Sequence, residues 1–359
     1  MSNAQGGRPT KNERREQARE QARALREEAR RRERRNKVLL QGGIIVVVLA
    51  IVVGIGWGIW SFAQSQQPVA GPANMASGGV LLVSDGNGGI KVQSTPGMQA
   101  GQDPVDSTSS ASIRIQEFID LTCPICQQFE IGLDYDGSGD ITQADIDKYN
   151  ETNNANVTDD PSTLGDYVGN MAYIETLVEQ GVATLEIFPV AILDRNWQGS
   201  AYSTRSANAF AAIAAGDPNH LIAFVQAMYQ QQPAEGSGTG LSDDDIISIA
   251  QGAGVDTTAS VQTSSGSVSI EEAIRSQSFK KWVTSMTSRA SNFQFSAEAN
   301  VDSSKGFGTP VVVVNGQQYT PSSSYMSNSE FKAFILQVAG EDYTQNQTPT
   351  PTATATPAG

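Results

Sequence analysis

Ile113-Arg-Ile-Gln-Glu-Phe-Ile-Asp-Leu121, then Thr122, then Cys123-Pro-Ile-Cys126 and Gln127-Gln-Phe-Glu130 form the stretch on which the reading of this chain turns. An apolar-rich, β-branched run leads into it, and the C-x-x-C begins where that run ends. Cys123 and Cys126 are the only cysteines in 359 residues. Two thiols cannot build a disulfide framework, and two ligands are too few for a structural zinc site. The first reading is a redox pair, and its alternative is two buried thiols that merely pack. At a helix start, Cys123 would ionise readily beside unpaired backbone N–H groups, and Cys126, one turn in, would be the more buried resolving thiol. Pro124 suits the first helical turn, which has no use for its missing N–H.

Outward from this stretch the body alternates strand and helix, which places it in the α/β class. Val80–Val83 and Ile90–Val92, on either side of a Gly-rich loop, read as a hairpin, and residues 112–118 read as a strand. Met171, Ile174, Leu177 and Val178 mark a helical stripe, followed by a strand over residues 183–190. From Tyr202 to Asn292 the signal is helical almost throughout. Leu221, Phe224, Val225 and Met228, and again Phe279, Trp282, Val283 and Met286, recur at i, i+3, i+4 and i+7, which predicts a helical subdomain at about 200–300. A strand follows at Val311–Val314, then the turn Asn315-Gly316, a short partner strand through Tyr319, and a last helix with Phe331, Phe334, Ile335 and Val338 on one face.

Charge divides the chain. Residues 1–37 carry thirteen Arg and Lys against six Glu, net +7, which leaves −21 on the remainder of a chain whose net charge is −14. A body this acidic argues against nucleic acid as a partner, since phosphate binding needs clustered Lys and Arg. Residues 38–63 hold no charged side chain, and about 20 apolar residues cross a bilayer core, so this segment is expected to be a single transmembrane helix. Trp57 and Trp60 sit near its far end, where indoles favour the interface. The positive-inside rule then puts the basic tail in the cytoplasm and the rest outside the cell membrane. A cleaved signal peptide is the alternative, but the apolar run is too long for it and no small-residue cleavage site follows. Residues 64–79 are expected to be a stalk, 80–342 the folded domain, and 343–359 a disordered Thr/Pro tail.

Four segments in order carry a resemblance: residues 117–130, Phe188-Pro-Val-Ala-Ile-Leu-Asp-Arg195, Tyr202-Ser-Thr-Arg-Ser-Ala-Asn-Ala209 and Gly308-Thr-Pro-Val-Val-Val-Val-Asn-Gly316. The chain resembles the DsbA-like thioredoxin-fold proteins anchored in actinobacterial membranes. The resemblance covers roughly Val80 to Gly340 apart from one insertion. It implies a thioredoxin fold with a helical subdomain inserted between its halves, no cofactor for the redox chemistry, and a cis-proline facing the dithiol, at Thr309-Pro310 here. The backbone at that proline would hold a substrate strand beside Cys123. The resemblance also implies an acidic residue beneath the dithiol; Glu117 matches that place, and Asp120, nearer in sequence, is the alternative. The strongly oxidising members carry His inside the dithiol motif, where this chain has Ile125. Its thiolate should be less stabilised, and its potential should lie between those of strong oxidases and thioredoxin.

The resemblance breaks off after Phe129 and resumes near Met171. The insertion, 131–170, contains Asp134-Tyr-Asp-Gly-Ser-Gly-Asp-Ile-Thr-Gln-Ala-Asp145, which reads as an EF-hand-like calcium loop. Asp134, Asp136 and Ser138 fall at positions 1, 3 and 5, Gly139 at position 6, Asp140 at 7, Thr142 at 9 and Asp145 at 12. The departure is Asp145, where a longer Glu usually supplies two oxygens. Together these features point to a membrane-tethered thiol–disulfide oxidoreductase acting on unfolded or reduced exported proteins. Cys123 would exchange, Cys126 would resolve, and a membrane partner of the DsbB or VKOR kind would reoxidise the pair. A reductase of extracytoplasmic thiols is a second enzyme reading, told apart by the resting redox state. An anchored calcium-dependent binding module with a structural disulfide is the reading from another class.

Overall fold

The computed structural model describes residues 70–153, 155–294 and 299–340. The basic segment 1–37, the apolar segment 38–63 and the Thr/Pro segment 343–359 lie outside the described residues. No helix among the described residues is long and apolar enough to cross a membrane.

β1 (Val80–Ser84), β2 (Ile90–Val92), β3 (Ile113–Ile119), β4 (Ala183–Pro189), β7 (Val311–Val314) and β8 (Gln317–Gln318) form one sheet in the order β2-β1-β4-β3-β7-β8. β3 and β7 lie in its interior and are buried on both faces: all of Val311–Val314 are buried, as are six of the seven residues of β3, the polar Gln116 and Glu117 among them. β3 runs parallel to β4 and antiparallel to β7, and β7 turns into β8 at Asn315-Gly316, both with positive φ. A parallel neighbour needs a crossover, and that crossover carries α1 (Pro124–Glu130), α2 (Gln143–Asn153) and α3 (Met171–Glu179). α9 (Asn328–Ala339) closes the chain against β7. A β-α-β half and a β-β-α half sharing one sheet, with helices inserted between them, make the thioredoxin topology.

The inserted helices are α4 (Tyr202–Gly216), α5 (Leu221–Gln230), α6 (Asp243–Gly252), α7 (Ile270–Arg275) and α8 (Lys280–Ser291). α4 is their centre. Every residue from Tyr202 to Ala214 is buried, and its alanines let α5, α7 and α8 approach closely. The expected helical run is interrupted by a hairpin, β5 (Ser260–Thr263) and β6 (Gly266–Ser269). Its strands are four residues each, too short to show a period, and only Gly266 after the Ser264-Ser265 turn and the β-branched Val261, Thr263 and Val268 distinguish them from loop.

One boundary differs from the sequence reading, and one is met. Residues 70–79, expected as stalk, belong to the body: Met75 is fully buried and the Asn74 side-chain amide donates to the Ala214 carbonyl at 2.8 Å. The insertion after α1 closes on itself in a narrow neck, where the Leu133 N–H donates to Tyr167 O at 2.8 Å and the Asn170 N–H to Phe129 O at 2.8 Å. At Gly132, φ is +57° and a Cβ would stand 2.2 Å from Tyr167 O and 2.4 Å from Gly169 N. Gly132→Ala is therefore expected to cost about 3 kcal/mol or more. A thermal melt within a degree or two of wild type would show that the neck is not tight.

Candidate active site

β3 delivers the dithiol. The strand ends at Ile119, the chain turns with the Cys123 N–H donating to Asp120 O at 2.9 Å, and α1 starts with Cys123 as its N-cap and Pro124 in its first turn. Both cysteines are present as thiols. Cys126 is fully buried and Cys123 is 5 % exposed, while Ile125 between them presents 38 % of its surface to solvent. The Cys123 thiol points across to β7's leading end and donates to Thr309 O at 3.4 Å. The Thr309–Pro310 peptide there is cis.

The two thiols are driven apart in acidity. A hydrogen bond from the Cys126 thiol, against the opposing effect of burial, pulls Cys123 below the ordinary thiol range, and the Thr309 side chain adds to that pull. Burial first, and then Cys123 itself, push Cys126 well above it. One thiol is thereby prepared to be a thiolate and the other to hold its proton.

Beneath the dithiol lies a pair of acids. Glu117 sits on β3, in register with Ile187 of β4 and Val312 of β7, and is 0 % exposed; Glu130, on α1 one turn beyond Cys126, is 1 % exposed. Beyond the other carboxyl of the pair, no donor among the described residues hydrogen-bonds either of them, and the two lie against each other. Burial pushes Glu117 up to about 8, partly offset by its hydrogen bond with Glu130. Burial and then the neighbouring Glu117 push Glu130 well up too. Two carboxyls this close and dry cannot both be ionised, so at least one proton is stored beside Cys126. The sequence alone does not single out Glu130 as a site residue. Its one sequence signal is the i, i+4 spacing from Cys126, which puts both on one helix face.

Asp120, the other candidate acid, is differently held. Its fully buried carboxylate accepts from the Thr122 N–H and hydroxyl, from the Ile192 and Leu193 N–H groups and from the Ser203 hydroxyl. It is saturated, whereas Glu117 has lone pairs to spare. Beside Pro310 runs a groove of about 270 Å³ lined by Phe293, Phe307, Gly308, Thr309 and Tyr325 among others.

The expected calcium loop is closed by its own backbone. Asp134 accepts from the N–H groups of Ser138 at 3.0 Å and Gly139 at 2.9 Å, and Asp136 from Ser138 at 2.9 Å. Ser138 Oγ donates to Asp140 O at 3.0 Å, and Gly139 has φ +82°. Asp145 stands in the first turn of α2, where it accepts from the Thr142 N–H at 2.8 Å, the Thr142 hydroxyl at 2.5 Å and the Tyr135 N–H at 3.2 Å. Among the described residues no group of three or more His, Cys, Asp and Glu side chains could hold a metal ion. The short Asp145 side chain is engaged in capping the helix instead of reaching across the loop.

No family model matches the chain, and no curated protein matches it. Solved structures that it resembles include the reduced disulfide bond oxidoreductase DsbG of Mycobacterium tuberculosis, at 21 % identity over 66 % of this chain and 83 % of that one, with a TM-score of 0.41. Reduced DsbA of Mycobacterium tuberculosis is similar at 20 % identity over 75 % and 96 % of the two chains, with a TM-score of 0.42. The thiol–disulfide oxidoreductase MdbA of Corynebacterium diphtheriae is similar at 14 % identity over 70 % and 93 %, with a TM-score of 0.39.

Proposed function

We propose that this protein is a thiol–disulfide oxidoreductase that forms or reshuffles disulfides in exported proteins, tethered to the cell membrane by residues 38–63 with its folded domain outside. The reading is carried by the polarised dithiol: a Cys123 thiol shifted toward thiolate at a helix start, and a Cys126 thiol held protonated one turn deeper. In the oxidising direction a substrate thiolate attacks Sγ of Cys123, the Cys123–Cys126 bond breaks, and Cys126 leaves with the electron pair and takes up a proton. A second substrate thiolate then attacks the substrate sulfur of the mixed disulfide and releases Cys123 as thiolate. Two electrons pass from substrate to protein, and a membrane partner of the DsbB or VKOR kind removes them. The Glu117/Glu130 pair supplies the proton to Cys126 and receives it on reoxidation. The backbone beside Pro310 pairs with the substrate strand, and the groove next to it takes a neighbouring side chain.

Reactivation of reduced, unfolded ribonuclease by the oxidised full-length protein tests the activity, and the resting redox state of Cys123 and Cys126 in intact cells tests the direction. An oxidase rests mainly as disulfide; a pair found mainly as dithiol would favour the reductase reading.

For the loop at residues 134–145, calcium at the millimolar level found outside cells is also proposed. The support is the run of loop oxygens with Gly139 at its left-handed turn. Binding would recruit Asp134, Asp136 and Ser138 and would draw Asp145 away from Thr142. At millimolar calcium the melting temperature is expected to rise by a few degrees, as a weak site filled to several times its Kd contributes about 1 kcal/mol. No heat on titration and no change in melting would remove calcium from the picture.

A further inference from the structure

We propose that Asp120 is a fixed anion that holds the Cys123 thiol back from ionising, and so sets the dithiol at a less oxidising potential than its helix-start position alone would give. The proposal rests on the oxidoreductase reading and deepens it. Asp120 lies three residues before Cys123 in the turn that joins β3 to α1, and the Cys123 N–H to Asp120 O bond of 2.9 Å locks the two together. The Tyr229 hydroxyl donates to the same carbonyl at 3.3 Å.

The side chain is 0 % exposed and accepts from five donors: Thr122 N–H at 3.0 Å, Thr122 Oγ1 at 2.8 Å, Ile192 N–H at 2.8 Å, Leu193 N–H at 3.2 Å and Ser203 Oγ at 2.6 Å. Three of these are backbone N–H groups, which cannot turn and accept. Thr122 Oγ1 takes a hydrogen bond from Trp197 Nε1 at 3.3 Å, which leaves its own proton for Asp120. An acid proton on Asp120 would therefore meet backbone N–H groups that can only donate, and would find an acceptor only by turning the Ser203 hydroxyl around. Burial pushes the carboxyl up, but this donor set opposes it, and with no dedicated acceptor for a proton the ionised form is the one the site is built to hold.

No Lys or Arg among the described residues forms an ion pair with Asp120, so only the dipoles of its five donors offset its charge at close range. The titratable groups that face it are Cys123, Cys126, Tyr202 and Tyr229, and none of them is a cation. A charge held this close in a dry surrounding opposes a second negative charge at Cys123. Less thiolate stabilisation means a less stabilised reduced form, and a weaker oxidant. Asp120 thus acts through Cys123 as a positioning residue, working in the same direction as Ile125, which lends the thiolate no cation.

The test compares full-length wild type, Asp120→Asn and Ser203→Ala by thiolate absorbance titration of Cys123 and by redox equilibrium with glutathione. Asp120→Asn is expected to raise the ionisation constant of Cys123 about three- to tenfold. It should also shift the glutathione equilibrium toward the dithiol by a similar factor, a tenfold shift being about 30 mV more oxidising. Ser203→Ala loosens the same contact but keeps the charge, and is expected to leave the ionisation constant within about twofold of wild type. Asp120→Asn within twofold of wild type, or both variants shifting alike, would overturn the proposal. The carboxyl carbon-13 shift of Asp120 in the wild type at neutral pH gives a reading that needs no variant: an ionised carboxylate supports the proposal, and a protonated one ends it. If wild type fails to exchange disulfides, the proposed function falls, while the thiol titration still reports whether Asp120 opposes ionisation.

Discussion

Cys123→Ser is expected to bring insulin reduction and ribonuclease reactivation to the uncatalysed background, a loss on the order of 10³-fold or more, with the fold intact. The substitution is nearly isosteric, and Cys123 caps α1 without a side-chain hydrogen bond, a position where serine is among the favoured residues. Lost activity therefore cannot be assigned to an unravelled helix. Cys126→Ala gives a different signature. Its thiol resolves the mixed disulfide, so its removal leaves substrate covalently attached through Cys123 and visible on a non-reducing gel. If Cys123→Ser retained activity, or if no mixed disulfide accumulated with Cys126→Ala, the dithiol would not be the working group, and an anchored binding module would be the better account.

The sheet and the dithiol are legible in the sequence for separate physical reasons. Val311–Val314 is a short apolar run bounded by turn residues, Ile113–Ile119 sets four apolar side chains among Arg114, Gln116 and Glu117, and the order of the two around a C-x-x-C restricts the topology. With only two cysteines, arithmetic alone leaves few uses for the pair. What is not legible depends on partners distant in sequence. Asp120 reads as a lone carboxylate, and only the fold brings to it Ile192, Leu193 and Ser203, the last of them 83 residues away. Glu130 reads as the polar end of a helix turn, yet α1 leans on β3 so that it meets Glu117 away from water. Asp145 reads as a calcium ligand, and its use as a helix cap shows only in the fold, because both uses place a carboxylate three residues after Thr142. The β5–β6 hairpin escapes because its four-residue strands are shorter than any period that distinguishes strand from helix.

Glu117→Gln is expected to stabilise the protein at alkaline pH while slowing its chemistry. In the unfolded chain Glu117 ionises near 4.5; burial in the folded state holds its proton until about 8. Between those values the folded state binds more protons than the unfolded state, so stability is fully present below pH 4.5 and declines as pH rises toward 8. The interval corresponds to something on the order of 4 kcal/mol, and Glu130, pushed in the same direction, adds to the decline. The neutral amide introduced by Glu117→Gln removes this share of the decline and can donate an N–H to Glu130. The variant should melt with wild type near pH 4.5 and roughly 10 °C above it near pH 8. A wild-type melting temperature that is flat across this range, or a variant that declines in parallel, would show that Glu117 does not hold its proton at neutral pH. The same substitution takes away one place where the Cys126 proton can go, so disulfide exchange at neutral pH should slow by up to about 10²-fold. Gain of stability with loss of rate is the combination that marks a proton stored for Cys126: the dry site that keeps the acid protonated is also the one that weakens the fold once the pH favours its ionisation.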